Sequence, residues 1–270
     1  MRFMFFSKCL VLLLICGFTL AVQGAAGLEG QWEKVLEKTY RQPELLRLKA
    51  GNKKFAALYL PETTGEPKGG IILLHGRHVH ADWPAVIGPL RRRLPGFGWS
   101  TLSLQLPVLD PAKTVSDHAA LFAQVTGRVQ AGIRYLQQKK LRYIVLLGYE
   151  LGATMAVSVA ADQAVKVDAL VLVSLLPAQT ATPPKVMDSQ ALLAAARLPV
   201  LDLYAYSDLP AIVAAARKRR RLVRRKKDPQ HRGFYRQVEF IGAGHEYRGH
   251  EARLSKRIHS WLKSRLMPAK

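Results

Sequence analysis

The chain has 270 residues, 49% of them hydrophobic, with a formal net charge of +22 and a pI near 10.3. That composition excludes a disordered chain and is large enough to bury a core without cross-links. Its two cysteines, Cys9 and Cys16, sit near the start, so the rest of the chain has no disulfide or thiol chemistry.

Arg2 and Lys8 flank the start of an almost wholly apolar run from Cys9 to Val22, followed by the small residues of Gln23-Gly24-Ala25-Ala26-Gly27. This layout predicts a secretory signal peptide over residues 1–26, one domain over 27–270, and a periplasmic or otherwise exported protein. The run is short against the about 20 residues of a membrane span; retention as an anchor is the alternative. Bulky Ile15 argues against lipidation at Cys16.

Trp32 to Leu46 reads as a polar arm or short helix. Phe55 to Leu60 reads as a strand stopped by Pro61. The continuous apolar run Gly70-Ile71-Ile72-Leu73-Leu74-His75-Gly76 predicts a central parallel strand. Trp83 to Leu94 reads as helix, and Trp99 to Leu106 as a strand stopped by Pro107. Leu121, Val125, Val129, Ile133 and Leu136 carry helical spacing within Asp117 to Gln138, with Asp117 as its expected cap. Tyr143 to Gly148 is again strand-like, and a helix starts near Leu151. Val167 to Leu176 and Leu198 to Tyr206 are two more strands. A helix runs from Pro210 into a basic tract and stops before Pro229. Gln237 to Ile241 is the last strand, and Leu254, Ile258, Leu262 and Leu266, with Trp261, form one stripe of a C-terminal helix. Alternating strands and helices with fully apolar middle strands predict an α/β fold: a three-layer α/β/α sandwich around a mostly parallel sheet.

In such sheets chemistry collects at the carboxyl ends of strands. Four ends carry distinctive residues here: His75-Gly76, Gly148-Tyr149-Glu150-Leu151-Gly152, Ser207-Asp208 and Gly242-Ala243-Gly244-His245. Their order resembles the α/β-hydrolase fold, whose triad runs nucleophile, acid, histidine. The resemblance spans Phe55 to Leu266. Within that fold the chain is most similar to an uncharacterised family of exported Gram-negative proteins with a degenerate nucleophile elbow. The resemblance implies His245 as the general-base position and Asp208 as the orienting acid. It also implies the loop after His75 and Gly76, with the Leu151 amide, as the oxyanion region. Glu150 replaces the serine.

A serine becomes a nucleophile when histidine takes its proton; a carboxylate has no such proton to give. Glu150 is therefore expected to pair with His245, raising the imidazole's pKa. Some members of this fold use an elbow carboxylate as nucleophile, but theirs is Asp. Glu is one methylene longer, and a misplacement near 1 Å can cost about 100-fold. Glu150 otherwise reads as a carboxylate at the positive end of a helix, and Ser207 or Asp208 as a cap for the helix at Pro210. Ser103, Ser158 and Ser174 fall inside strands or helices on this reading, none at a turn beside His245.

His78, His80 and Asp82 follow His75-Gly76, and with Glu150 and His245 they pose a zinc-like donor set without a recognised spacing. No cofactor is implied. Nine of the eleven residues from Arg217 to Lys227 are basic: Arg217, Lys218, Arg219, Arg220, Arg221, Arg224, Arg225, Lys226 and Lys227. Without interleaved aromatics this tract does not favour single-stranded nucleic acid; an anionic lipid or cell-wall polymer is the expected partner. Three functions remain in view: an exported protein that has lost serine-hydrolase chemistry and binds an anionic envelope component; an active hydrolase using Glu150 and His245 on an ester, epoxide or related substrate; or a metal-binding protein centred on His78, His80, Glu150 and His245.

Overall fold

The computed structural model describes residues 20–162, 164–178, 180, 182–195, 197–225 and 235–268. Residues 1–19, most of the expected signal segment, lie outside them. Among the described residues, eight strands and seven α-helices follow in the order α1 (Leu20–Thr39), β1 (Leu45–Ala50), β2 (Lys53–Leu60), β3 (Gly69–Leu74), α2 (Ile87–Arg93), β4 (Trp99–Leu104), α3 (Phe122–Gln138), β5 (Ile144–Tyr149), α4 (Leu151–Ala161), β6 (Ala169–Val173), α5 (Ser189–Ala195), β7 (Val200–Ser207), α6 (Pro210–Arg225), β8 (Tyr235–Gly244) and α7 (Glu251–Leu266). Among the described residues no helix is long and apolar enough to cross a membrane.

The strands form one sheet in the order β1-β2-β4-β3-β5-β6-β7-β8. β2 runs antiparallel to β1 and β4; every other pairing is parallel. The predicted three-layer sandwich is therefore present. β3, β4, β5 and β6 are buried along their whole length, which is why their sequences are apolar without alternation. Ile72, Leu74, Leu146 and Leu172 pack toward α3, α4 and α6 on one face; Ile71, Leu73, Val145 and Leu203 pack toward α2 and α7 on the other. The stripe Leu254, Ile258, Leu262 with Trp261 faces that second layer as its spacing predicts.

Register places the site. Leu74 pairs with Gly148, and Tyr149 with Val173, so β3, β5 and β6 end side by side at the middle of the sheet. Ser207 pairs with Gly244, bringing the ends of β7 and β8 together beside them.

The structure departs from sequence expectation in three elements. The segment Trp32 to Leu46 is the end of α1 and the start of β1. Leu46, Leu48 and Ala50 alternate along β1 and pack on the core, a period-two signal overshadowed by the charges of Arg47 and Lys49. The helix expected from Asp117 begins as a 3-10 turn, Ser116–Leu121. Asp117 does not cap it; its Oδ2 accepts the N–H and hydroxyl of Thr114, each at 2.8 Å. The third departure is Arg219. Ile212, Ala216 and Arg219 share one face of α6, and that face is buried. Arg219 donates to both oxygens of fully buried Asp202 at 2.9 and 3.2 Å. Gln237 (3.0 Å) and Tyr235 also donate to Asp202. Arg219 is thus an internal tie between α6 and the sheet, not part of an anionic-surface site. Arg217, Lys218, Arg220 and Arg221 are exposed as expected. Lys226 and Lys227 lie outside the described residues, as do the side chains of Arg224 and Arg225.

A buried ion pair broken on one side costs about 3–5 kcal/mol, whereas exposed substitutions stay within about 0.5 kcal/mol. Urea unfolding should therefore show Arg219→Ala strongly destabilised and Arg220→Ala near wild type.

Candidate active site

β5 delivers its chain into a sharp turn at Glu150, where φ is 55° and ψ −117°, and α4 begins at the next residue. A non-glycine residue in this region is strained by about 1–3 kcal/mol and needs the surrounding structure to hold it. The Glu150 N–H donates to the Val173 carbonyl at 3.0 Å, and its carbonyl accepts from Ala153 N–H at 3.0 Å. The flanking glycines are steric requirements. A side chain on Gly148 would run into the Gly152 carbonyl, and one on Gly152 into the carbonyls of Leu74 and His75. This is the geometry of a nucleophile elbow with a carboxylate at its tip.

That carboxylate does not cap α4 and does not pair with His245. It turns to the loop after β3. Oε2 accepts the backbone N–H of Arg77 at 2.8 Å. Oε1 accepts a hydrogen bond from the Arg77 guanidinium Nε at 2.9 Å, and Nη2 lies 2.9 Å from the same oxygen as an ion pair. The Glu150 side chain is 10% exposed, so a paired cation is a physical necessity rather than an ornament of the surface. The expected Glu150–His245 pair is corrected to Glu150–Arg77. Arg77 went unnoticed in the sequence, although it directly follows His75-Gly76 and a buried elbow carboxylate requires a nearby cation. Gly76 is equally constrained: a Cβ there would lie 2.5 Å from Glu150 Oε2.

His75 stands behind this loop. It is 1% exposed; its Nδ1 donates to the Gly76 carbonyl at 2.8 Å and its Nε2 accepts the Leu106 N–H at 2.9 Å. Burial pulls its pKa down to about 3, so it is a neutral support for the loop. Leu151, the first residue of α4, lines a small cavity with Gly76 and Arg77.

The acid and histidine positions do meet. Asp208 Oδ1 lies 2.6 Å from His245 Nδ1. The same oxygen accepts the Leu209 N–H at 2.9 Å, and Oδ2 accepts the Ser174 hydroxyl at 2.5 Å and the Ala205 N–H at 3.1 Å. Asp208 thus orients the imidazole rather than simply capping α6. Ser174 corrects another expectation. It is not inside a strand but stands just past β6 with φ of 52°, one hydrogen bond from Asp208. It is fully buried and its hydroxyl is spent on the carboxylate, so it supports Asp208 instead of replacing the elbow nucleophile. Tyr149, whose ring centre lies 5.4 Å from that of His245, and Tyr247, whose hydroxyl is 3.5 Å from Ser174 Oγ, complete the surround.

The metal-like set does not assemble. Asp82 is held by Arg91, Arg92 and Tyr40, while His80 packs between the rings of Trp32 and Trp83. Among the described residues no group of three or more His, Cys, Asp or Glu side chains could hold a metal ion. His78 instead faces His118, which carries no motif in the sequence.

Burial alone pulls His245 down, but the hydrogen bond and charge of Asp208, then the charges of Glu150 and Glu246, leave its pKa raised. Burial pushes Asp208 up, and the hydrogen bonds from His245, Ser174 and the Ala205 amide overcome it and hold the carboxyl low. The folded state therefore holds the His245 proton more tightly than the unfolded chain. Its stabilisation is complete below about pH 6.5 and is lost as pH rises through the folded value. For Asp208 the contribution exists above about pH 3.9 and is lost as pH falls through its folded value. NMR titration should give His245 a midpoint above the ordinary histidine value, and Asp208→Asn should lower it.

Similar solved structures include Est1E from Butyrivibrio proteoclasticus, at 14% identity and TM-score 0.63. A dienelactone hydrolase from Anabaena variabilis matches at 17% and 0.65, and an α/β serine hydrolase homologue from Coxiella burnetii at 18% and 0.62. Each alignment covers 83% of this chain and 99% of the other. At these identities the likeness establishes the α/β-hydrolase fold. A comparison with curated proteins returns no match. The family described as "Protein of unknown function (DUF3530)" matches over residues 25–126 and 109–264, and the chain belongs to that family.

Proposed function

We propose that this protein is an exported α/β-hydrolase-fold protein that binds an anionic envelope component and has lost serine-hydrolase chemistry. The observation that carries the reading is the Glu150 carboxylate fixed on Arg77. It removes the nucleophile, and it also occupies the backbone N–H of the loop that would face an oxyanion. Freeing this carboxylate to attack a substrate would break charge-assisted hydrogen bonds worth about 1.5–3 kcal/mol each. The basic surface supports the binding half of the reading. Arg217, Arg220 and Arg221 are exposed and lie along one side of α6. Near an anionic bilayer each adds about 1 kcal/mol.

The ordered Asp208–His245 pair favours a second reading, a hydrolase with Glu150 as nucleophile and His245 as base. Turnover of small esters, epoxides or haloalkanes by wild type, lost in Glu150→Ala, is its expected signature; equal rates in both proteins remove it.

Under the first reading a fluorophosphonate leaves the wild-type protein unlabelled. Glu150→Ser, which frees the Arg77 amide and puts a hydroxyl at the elbow, should gain labelling that a further His245→Ala change removes. Robust wild-type labelling abolished by mutating a single serine would overturn the reading. For binding, sedimentation with phosphatidylglycerol vesicles should exceed that with phosphatidylcholine. Replacing Arg217, Arg220 and Arg221 by Ala should weaken it by about 100-fold at low salt. Indifference to lipid charge would contradict the partner assignment.

A further inference from the structure

We propose that His78, His118 and Met155 form a binding site for a cuprous ion, apart from the Asp208–His245 pair. The three residues line a cavity of about 10 Å³ between the loop after β3, the 3-10 turn before α3, and α4. That volume suits one water or one monatomic ion and nothing larger.

The donors are prepared for a guest. His118 is 2% exposed. Its Nδ1–H donates to the Thr114 carbonyl at 2.8 Å, which fixes the tautomer and leaves a lone pair on Nε2. That buried nitrogen has no hydrogen-bond partner. A backbone carbonyl on one ring nitrogen and a free lone pair on the other is the usual arrangement of a metal-ligating histidine. His78 presents the complementary half. Its Nδ1 is also buried and unpartnered, and its backbone is held at φ of 59°, where few non-glycine residues reside. The two ring centres are 5.9 Å apart at 77°. An ion about 2 Å from one nitrogen of each ring would place the centres about 6 Å apart.

The chemistry of the donors selects the ion. Two imidazoles suit copper among other metals, and the soft thioether favours Cu(I). Zinc would need a fourth ligand, and hard cations need oxygen. The nearest carboxylate, Glu150, is committed to Arg77, and that pairing neutralises the guanidinium beside the cavity, so a monovalent cation is tolerated better than a divalent one. Ligation needs no redox step, and the bond from His118 Nδ1–H to Thr114 already leaves the Nε2 lone pair free. A bound ion would tie the loop bearing Arg77 to α4.

The test uses the full chain carrying Cys9→Ser and Cys16→Ser, which removes both thiols, with Cu(I) held reduced under anaerobic conditions. In competition with bathocuproine disulfonate the protein should take one Cu(I) per chain, with nitrogen and sulfur scatterers in its X-ray absorption spectrum. Met155→Leu is close to volume-conserving; it should weaken binding by about tenfold or more and remove the sulfur shell. His78→Ala, at a half-exposed position, should abolish binding with thermal unfolding retained. The proposal fails if no Cu(I) binds, or if binding survives both substitutions unchanged. It also fails if Zn(II) binds the same residues more tightly, or if crystals grown with Cu(I) show only a water between the two imidazoles.

Discussion

A buried carboxylate must be paired, and the pairing of Glu150 with Arg77 organises everything around the elbow. The elbow places a residue at the tip of a strained turn between β5 and α4, against the loop after β3. Arg77 answers with its guanidinium and its backbone N–H together. The consequence is steric as well as electrostatic, since the carboxylate sits against Gly76, where even a methyl group would collide. The loop that would shape an oxyanion pocket in a serine hydrolase is here closed over its own elbow.

Asp208 and His245 hold their own geometry apart from the Glu150–Arg77 pair. Asp208 has four hydrogen-bond donors around its two oxygens, two from the backbone and two from side chains. So complete a shell keeps the carboxylate ionised and His245 oriented whatever stands at the elbow. Asp208 and His245 directly follow β7 and β8, whose own pairing fixes them, while Glu150 follows β5. A change at one strand end therefore need not unravel the other. The charge of Glu150 still reaches His245 through space and helps raise its pKa.

Much of this fold was legible because fully buried strands have a plain signature. The runs at β3, β5 and β6 are uninterrupted apolar stretches between turn residues, and each proved to be a central parallel strand. β1 was missed because an edge strand with alternating charges resembles an exposed arm. The elbow was legible from Gly148 and Gly152, whose spacing is forced by backbone contact, and the meeting of Asp208 with His245 followed from strand order. Contacts between side chains far apart in sequence were not legible. Arg77, Ser174 and His118 reveal their roles only when three loops converge. Arg219 was misjudged because a run of nine basic residues hides the one that falls on the buried face; its spacing from Ile212 and Ala216 was the available clue.

Coupling between Glu150 and Arg77 tests the central claim most directly. A double-mutant cycle with Glu150→Gln and Arg77→Met, read by urea unfolding at neutral pH, isolates their interaction from the cost of each change alone. A locked elbow predicts a favourable coupling above about 1.5 kcal/mol that persists in high salt, because the pair is shielded from solvent. A coupling near zero, or one that vanishes with added salt, would mean that the carboxylate is free at the elbow and that the site is not closed by its own loop.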